Sequence, residues 1–187
     1  NIDRILPTIV SRCTLIPFSP LSEDYLLSKA KEAGVQDVDA YFISHLVKDI
    51  NQMKEFADSS IFETCKMMFK QYFNLEGSRE ELLVDYDISY RSSEKDSAKA
   101  KKENILLLNS FFDFMSLFAH DVVCKNIEGP HWYKKLLQQE IYKQKEYGEL
   151  IIILQEQKDK INRFIDLNLL MDQTFYRLEE FNHEHGM

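Results

Sequence analysis

The sequence predicts an all-α protein, and two observations support this fold class. Residues that interrupt helices are scarce, with five glycines and four prolines among 187 residues, and three of the prolines fall within the first twenty. After residue 20, apolar residues recur at three- and four-residue spacing through most of the chain. The hydrophobic content of 44% is enough for a true core. We therefore expect one large or two small helical domains.

Capping residues divide the first half of the chain into helices. Ser22, followed by two carboxylates, marks the start of a helix that Gly34 ends, and Asp37 starts the next helix. Ser59 or Ser60 caps a longer helix. The apolar side chains of this longer helix recur at helical spacing and are expected in the core: Phe62, Cys65, Met68, Phe69 and Tyr72.

The helical pattern breaks at Asn74–Ser78, where we expect a domain boundary. Ser78 and Glu81 have the spacing of a capping box that starts the next helix. The stretch from Glu103 to about Val123 is apolar on more than one side, which predicts a helix at the centre of a bundle. Further helices are expected from His131, from Glu146 and up to about Phe181, and three consecutive residues are expected inside: Ile152, Ile153 and Leu154.

Charge and cysteine usage limit the classes of function. The net charge of −8 argues against a broad nucleic-acid surface, and the lysine-rich stretch 95–102 is interpreted as a solvated helix face rather than a phosphate contact. Cys13, Cys65 and Cys124 are widely spaced, and no cysteine–histidine cluster suggests a metal. We expect free, mostly buried thiols in a reducing cytosol. No signal peptide and no apolar stretch long enough to span a bilayer is recognised, so the prediction is a soluble, cytoplasmic protein without membrane contact.

The first twenty residues differ from the rest. Leu15, Ile16 and Phe18 are typical of a short strand, bounded by Pro17 and Pro20, and no later segment supplies strands to pair with it. We therefore expect this stretch to belong to a larger unit. Upstream of it, Ser11-Arg12-Cys13 places a guanidinium between two small side chains.

The stretch Thr8–Cys13 resembles the Ser-Arg-Cys motif of AAA+ clamp-loader subunits. Ile5-Leu6-Pro7 before it and Phe18–Ser22 after it are most similar to the delta-prime branch of that family, in bacterial DNA polymerase III. The resemblance implies a division of the chain into three parts. Residues 1–18 would be the remnant of an α/β ATPase domain, residues 19–76 a helical lid, and residues 77–187 a helical collar.

The resemblance also implies a role for Arg12. A planar, permanently charged guanidinium can bond two oxygens of a phosphoryl group as negative charge builds on them. With Ser11 and Cys13 as motif neighbours, Arg12 would be a trans-acting arginine finger directed at nucleotide in the next subunit. Without the resemblance, Arg12 would be an ordinary surface arginine and Cys13 a small buried hydrophobe.

The predicted lid lacks a residue that ATP-binding relatives use. A helix is expected from about Ile50 to Asp58, and in those relatives an arginine near its start contacts nucleotide. Asn51 takes that place in the best counterpart here, although Lys54 could reach instead. The chain also lacks a Gly-x-x-x-x-Gly-Lys phosphate loop. We therefore expect no intrinsic catalysis, no cofactor and no metal site.

A second family-like stretch lies near the end of the chain. Residues 161–172 resemble the Asn-x-x-Leu-x-Leu ending of clamp-loader collars, with Asn162 joining two helices. The residues expected to pack inward behind it are Leu167, Leu170, Met171, Phe175 and Leu178. The implied partners are clamp-loader subunits of the gamma/tau and delta types through the collar. The sliding clamp and primer-template DNA would be indirect partners. The alternatives are a gamma/tau-type subunit, or an unrelated helical protein-interaction module in which Ser-Arg-Cys occurs by chance.

Overall fold

The computed structural model describes residues 21–86, 98–143, 145–161 and 166–184, and all regular structure within those ranges is helical. The all-α prediction is confirmed for this part of the chain, and the predicted strand at residues 15–18 lies outside it. A short 3-10 helix, Ile50–Gln52, precedes the third α-helix. The α-helices in chain order are α1 (Glu23–Glu32), α2 (Asp37–Leu46), α3 (Met53–Ala57), α4 (Ser60–Tyr72), α5 (Arg79–Tyr86), α6 (Ala98–Cys124), α7 (His131–Lys143), α8 (Tyr147–Ile161) and α9 (Leu167–Glu184).

Several helices begin and end at the capping residues identified in the sequence. The Ser22 hydroxyl accepts a hydrogen bond from the Tyr25 amide at 3.3 Å at the start of α1. Before α5, the Ser78 amide donates to Glu81 Oε2 at 2.9 Å, and the Glu81 amide donates to Ser78 Oγ at 3.3 Å. This reciprocal pair is a capping box. Gly34 has a φ of 84° just after α1, a conformation that stops a helix and that favours glycine.

Helix α6 is the centre of the fold, as its apolar sequence predicted. It packs against α2, α4, α7, α8 and α9. Its fully buried apolar side chains are Leu107, Leu108, Phe111, Phe112, Phe114, Met115, Phe118 and Ala119. Leu106 is 46% exposed, so one side of α6 still faces solvent.

An aromatic cluster fills the space between α6 and the helices around it. Phe114 lies 4.6 Å from Phe42 and 4.7 Å from Phe69, measured between ring centroids. Phe118 lies 5.4 Å from Phe69 and 5.8 Å from Tyr133. Phe42 and Phe69 precede the boundary expected at residues 74–78, and the other three rings follow it. One hydrophobic core therefore includes residues from both sides, and the division into 19–76 and 77–187 stays a prediction.

Helix α9 closes the core against α4. The Tyr72 hydroxyl donates to Asn182 Oδ1 at 3.0 Å, and both residues are buried. Of the α9 residues expected to pack inward, Leu170, Met171 and Leu178 are buried, whereas Leu167 and Phe175 are partly buried. Asn162, expected to join α8 to α9, lies outside the described residues.

The prediction for the interior of α8 was wrong at one of three positions. Ile153 and Leu154 are buried, but Ile152 is 61% exposed. Successive helix residues are about 100° apart, so three in a row span roughly 200° of the helix surface, and a helix with one buried side cannot cover them all.

No stretch was expected to be long and apolar enough to span a membrane, but residues 100–124 of α6 are. By length and composition they qualify, with a mean hydropathy of 1.3. Of the apolar window within this segment, 61% is buried inside the protein. The central helix of a helical core has the same composition, so the composition alone is weak evidence for a membrane span.

Candidate functional site

The residues predicted to carry the function do not fall in the described part of the chain. Ser11, Arg12 and Cys13 lie before residue 21, where the description begins. The arginine-finger assignment therefore stays a prediction. Of the lysines in the stretch 95–102, Lys101 and Lys102 are exposed at the start of α6, in keeping with a solvated face.

Asn51, expected at the position where ATP-binding relatives of the resembled family carry an arginine, is neutral and exposed. Asn51 lies in the 3-10 helix, where its amide side chain donates to Asp49 Oδ1 at 3.2 Å and its backbone N–H donates to the same oxygen at 3.0 Å. Lys54, the alternative, pairs with Asp58 at 2.8 Å. Neither side chain presents an unpaired positive charge.

A cleft of about 770 Å³ lies between α1, α2, α6 and α8. Helix α6 supplies one wall with Asp113, Ser116, His120, Asp121 and Cys124. Glu23, His45, Lys48 and Asn126 complete the polar lining, and the apolar part of the lining consists of Leu46, Leu117 and Ile151. A concave surface with convergent polar groups is the default place to look for binding.

A buried carboxylate forms the floor of this cleft. Asp121 Oδ2 accepts hydrogen bonds from the hydroxyls of Tyr41 at 2.7 Å and Tyr133 at 2.9 Å. Asp121 Oδ1 accepts one from Asn126 Nδ2 at 3.0 Å. Burial, reinforced by the charge of Asp121, holds the pKa of both phenols well above their ordinary value, so the phenols stay protonated donors. With three donors in place, Asp121 is satisfied and ties α6 to α2 and α7.

On the rim of the cleft, the last turn of α6 brings a histidine and a cysteine together. His120 Nε2 lies 3.5 Å from Cys124 Sγ, and His120 Nδ1 lies 4.0 Å from Asp121 Oδ1. Cys124 is exposed, whereas the thiols were expected to be mostly buried. Cys124 is the last residue of α6, and its neighbours Val123 and Lys125 are exposed as well, so few of the described residues cover that turn. Cys65 is fully buried as expected, and Cys13 lies outside the described residues.

His45, on the other side of the cleft, has a structural role. Its Nδ1 lies 2.8 Å from the Tyr41 carbonyl oxygen, and its ring packs on the Tyr41 ring with centroids 4.5 Å apart. Its Nε2 is 3.9 Å from Glu23 Oε2. These contacts fix the imidazole between α1 and the last turn of α2.

A second polar cluster is buried where α7 meets α8. Glu140, only 2% exposed, accepts hydrogen bonds from Tyr147 Oη at 2.6 Å and from Lys143 Nζ at 2.7 Å. Lys145 Nζ lies 3.6 Å from Glu140 Oε2, an ion-pair distance that is long for a hydrogen bond. Burial lowers the pKa of Lys145 and raises that of Tyr147. Glu140, Lys145 and Tyr147 line a small cavity of about 340 Å³, and the hydrogen bond from Tyr147 to Glu140 joins α7 to α8.

Sequence reasoning missed both the Asp121 centre and the His120–Cys124 pair. The three partners of Asp121 come from residues 41, 126 and 133, and no local pattern connects them. The His120–Cys124 pair did carry a signal, because residues four apart share a helix face. Within the described segments, no group of three or more histidine, cysteine, aspartate or glutamate side chains is arranged to hold a metal ion.

In comparisons with known proteins, no family model, no curated protein and no solved structure matches the chain. The functional argument therefore depends on the residues themselves.

Proposed function

We propose that this chain contains the lid and collar of a subunit of the bacterial DNA polymerase III clamp loader, of the delta-prime type. In this proposal residues 19–76 are the lid and residues 77–187 the collar. The collar packs against gamma/tau- and delta-type subunits in the cytoplasm. Arg12 acts in trans on nucleotide held by a neighbouring subunit, and the sliding clamp and primer-template DNA are reached through the complex.

The observation that carries the proposal is the motif in its context. Ser11-Arg12-Cys13 follows Ile5–Pro7 and is followed by Phe18–Ser22, and this order resembles the family more specifically than the tripeptide alone. A guanidinium suits the role because phosphoryl transfer develops charge on several oxygens at once, and a planar fork can contact two of them.

The helical architecture after residue 20 is compatible with this reading. A capping box at Ser78–Glu81 starts a new helix after the break at residues 74–78. Helix α6, 27 residues long, is the kind of central element around which a collar can form. Because Phe42 and Phe69 pack on Phe114, the lid in this proposal moves together with the collar.

We further propose that the chain hydrolyses no ATP itself. Its sequence has no phosphate loop, and Asn51 and Lys54 are engaged by neighbouring carboxylates. The buried carboxylates Asp121 and Glu140 accept hydrogen bonds from tyrosines, which makes them structural anchors rather than free general bases.

The test is reconstitution of the subunit with candidate clamp-loader partners. Co-purification is expected with gamma/tau- and delta-type subunits. Arg12→Ala is expected to lower the DNA- and clamp-stimulated ATPase of the assembled complex by at least about tenfold, because an arginine finger contributes several powers of ten in some NTPases. Assembly should be unaffected, since the collar supplies the apolar contact.

Two variants sharpen that experiment. Arg12→Lys should restore only part of the activity, because an ammonium cannot make a planar two-point contact. Arg4→Ala, a nearby arginine outside the motif, should leave the ATPase unchanged. A complex that turns over ATP at the wild-type rate with Arg12→Ala would refute the finger. Failure to co-purify would refute the clamp-loader assignment and favour an unrelated interaction module.

A further inference from the structure

We propose that His120 and Cys124 form a two-ligand site for a divalent cation of the zinc class at the C-terminal end of α6. The site lies on the rim of the 770 Å³ cleft and is independent of the proposed function. Imidazole nitrogen and thiolate sulfur are the ligands that Zn²⁺ and Co²⁺ accept most readily in proteins.

The distance between the two ligand atoms matches a tetrahedral metal. A Zn–N bond of about 2.05 Å and a Zn–S bond of about 2.3 Å, at an angle of about 109°, place nitrogen and sulfur roughly 3.5 Å apart. His120 Nε2 and Cys124 Sγ lie 3.5 Å apart. The spacing follows from the helix, because side chains four residues apart stack on one face. A metal can therefore enter between these atoms without a change of backbone.

A fixed negative charge lies near the second ring nitrogen of His120. His120 Nδ1 is 4.0 Å from Asp121 Oδ1, which is too far for a hydrogen bond, so Asp121 acts on the imidazole through its charge alone. Asp121 is only 1% exposed and is itself fixed by Tyr41, Tyr133 and Asn126, so its charge is held in place beside the imidazole.

The electrostatic surroundings favour a cation. The last turn of a helix carries partial negative charge on its carbonyl groups, and Cys124 is the last residue of α6. Three carboxylates line the same cleft, those of Glu23, Asp113 and Asp121, against one lysine, Lys48. Asp113 also pairs with Lys158 on α8, which partly offsets its charge.

The site is open and two of its coordination positions are left for water. The His120 side chain is 64% exposed and Cys124 is exposed, so a bound ion exchanges freely with solvent. On binding, the thiol gives its proton to the buffer, the sulfur and the neutral imidazole nitrogen each form a bond to the metal, and the metal-bound waters that they replace leave to solvent. Two protein ligands make a weaker site than the four of a structural zinc centre.

The experiment uses Co²⁺ as the probe, added to the reduced, purified chain at neutral pH. Bound Co²⁺ is expected to give a sulfur-to-cobalt charge-transfer band in the near ultraviolet, and Zn²⁺ is expected to displace it. Cys124→Ser should abolish the band. His120→Ala should weaken Co²⁺ binding by at least about tenfold, since half of the protein ligands are lost.

Two matched controls replace exposed histidines elsewhere in the described chain. His131→Ala at the start of α7 and His183→Ala near the end of α9 should leave the band and the affinity unchanged. Circular dichroism establishes that every variant is folded. The proposal is overturned if the folded wild-type chain gives no thiolate band, if the band survives Cys124→Ser, or if His183→Ala removes it. A thiol–imidazole hydrogen bond would then account for the contact.

Discussion

Raising the pH above about 10 is expected to destabilise this protein strongly because of its buried phenols. Tyr41, Tyr72, Tyr133 and Tyr147 are each at most 8% exposed. Burial raises the pKa of all four far above the ordinary value near 10, and the neighbouring charges of Asp121 and Glu140 act in the same direction on Tyr41, Tyr133 and Tyr147. None of the four can ionise without leaving the core.

The sign and the size of the effect follow from proton linkage. Above pH 10 the unfolded chain loses these protons and the folded chain keeps them, so the free energy of unfolding falls as the pH rises. At pH 11 each phenol lowers it by about 1.4 kcal/mol, and four lower it by roughly 5 to 6 kcal/mol. A domain has only about 5–15 kcal/mol of stability in total. Below about pH 9 the four phenols leave the free energy of unfolding nearly constant.

Lys145 changes the free energy of unfolding in the opposite direction as the pH rises, but it is a single group against four phenols. Because burial lowers its pKa, the unfolded chain binds more protons at this position, and stability rises with pH up to the ordinary lysine pKa near 10.4. One group of this kind cannot offset four phenols above pH 10.

The assay is urea unfolding followed by far-ultraviolet circular dichroism at several pH values from about 8 to 11. Tyr41→Phe should reduce the loss between pH 10 and 11 by about a quarter, because one of the four titrating groups is gone. Tyr142→Phe is the matched control, since Tyr142 is 89% exposed. The reasoning is refuted if the folded protein shows tyrosinate absorbance from these four residues near pH 10 while stability is unchanged.

Three further outcomes are expected. Gly129→Ala should destabilise the chain by about 2 kcal/mol in urea unfolding, because Gly129 has a φ of 97° and an added Cβ would lie 3.0 Å from ring atoms of Tyr41 and Tyr133. Gly148→Ala is the control for this change. It should stabilise α8 by roughly 0.5–1 kcal/mol, since nothing lies within 4 Å of the added Cβ. Equal effects of the two changes would contradict the steric argument. Asp121→Ala should cost about 3 kcal/mol or more, because three donors lose their acceptor, whereas a loss below about 1 kcal/mol would mean that water replaces the carboxylate. Isothermal calorimetry with Mg-ATP should show no heat of binding to this chain, and a micromolar dissociation constant would contradict that expectation.

The parts of the fold that depend on local chemistry could be predicted from the sequence. Ser22, Gly34 and the Ser78–Glu81 pair act on backbone groups within a few residues of themselves, so their positions alone identify helix ends. The central place of α6 was predictable for a similar reason, because its composition leaves little polar surface.

The parts that depend on distant partners could not be predicted. Ile152 has the same hydrophobicity as Ile153, and only the packing direction of α8 decides which of them is buried. Asp121 is one of 31 acidic residues in the sequence. It accepts hydrogen bonds from Tyr41 and Tyr133 only because α2, α6 and α7 pack together. The exposure of Cys124 similarly depends on how the described helices pack around the end of α6.

The hydrogen bond from Tyr72 to Asn182 joins residues 110 positions apart, and this separation has a consequence during synthesis on the ribosome. Helix α4 is made long before the helix that covers Tyr72. At about 5–20 residues per second, roughly 5 to 20 seconds pass between the two. During that interval Tyr72 lacks its native hydrogen-bond partner, and α4 has to keep its aromatic face without the helix that later covers it.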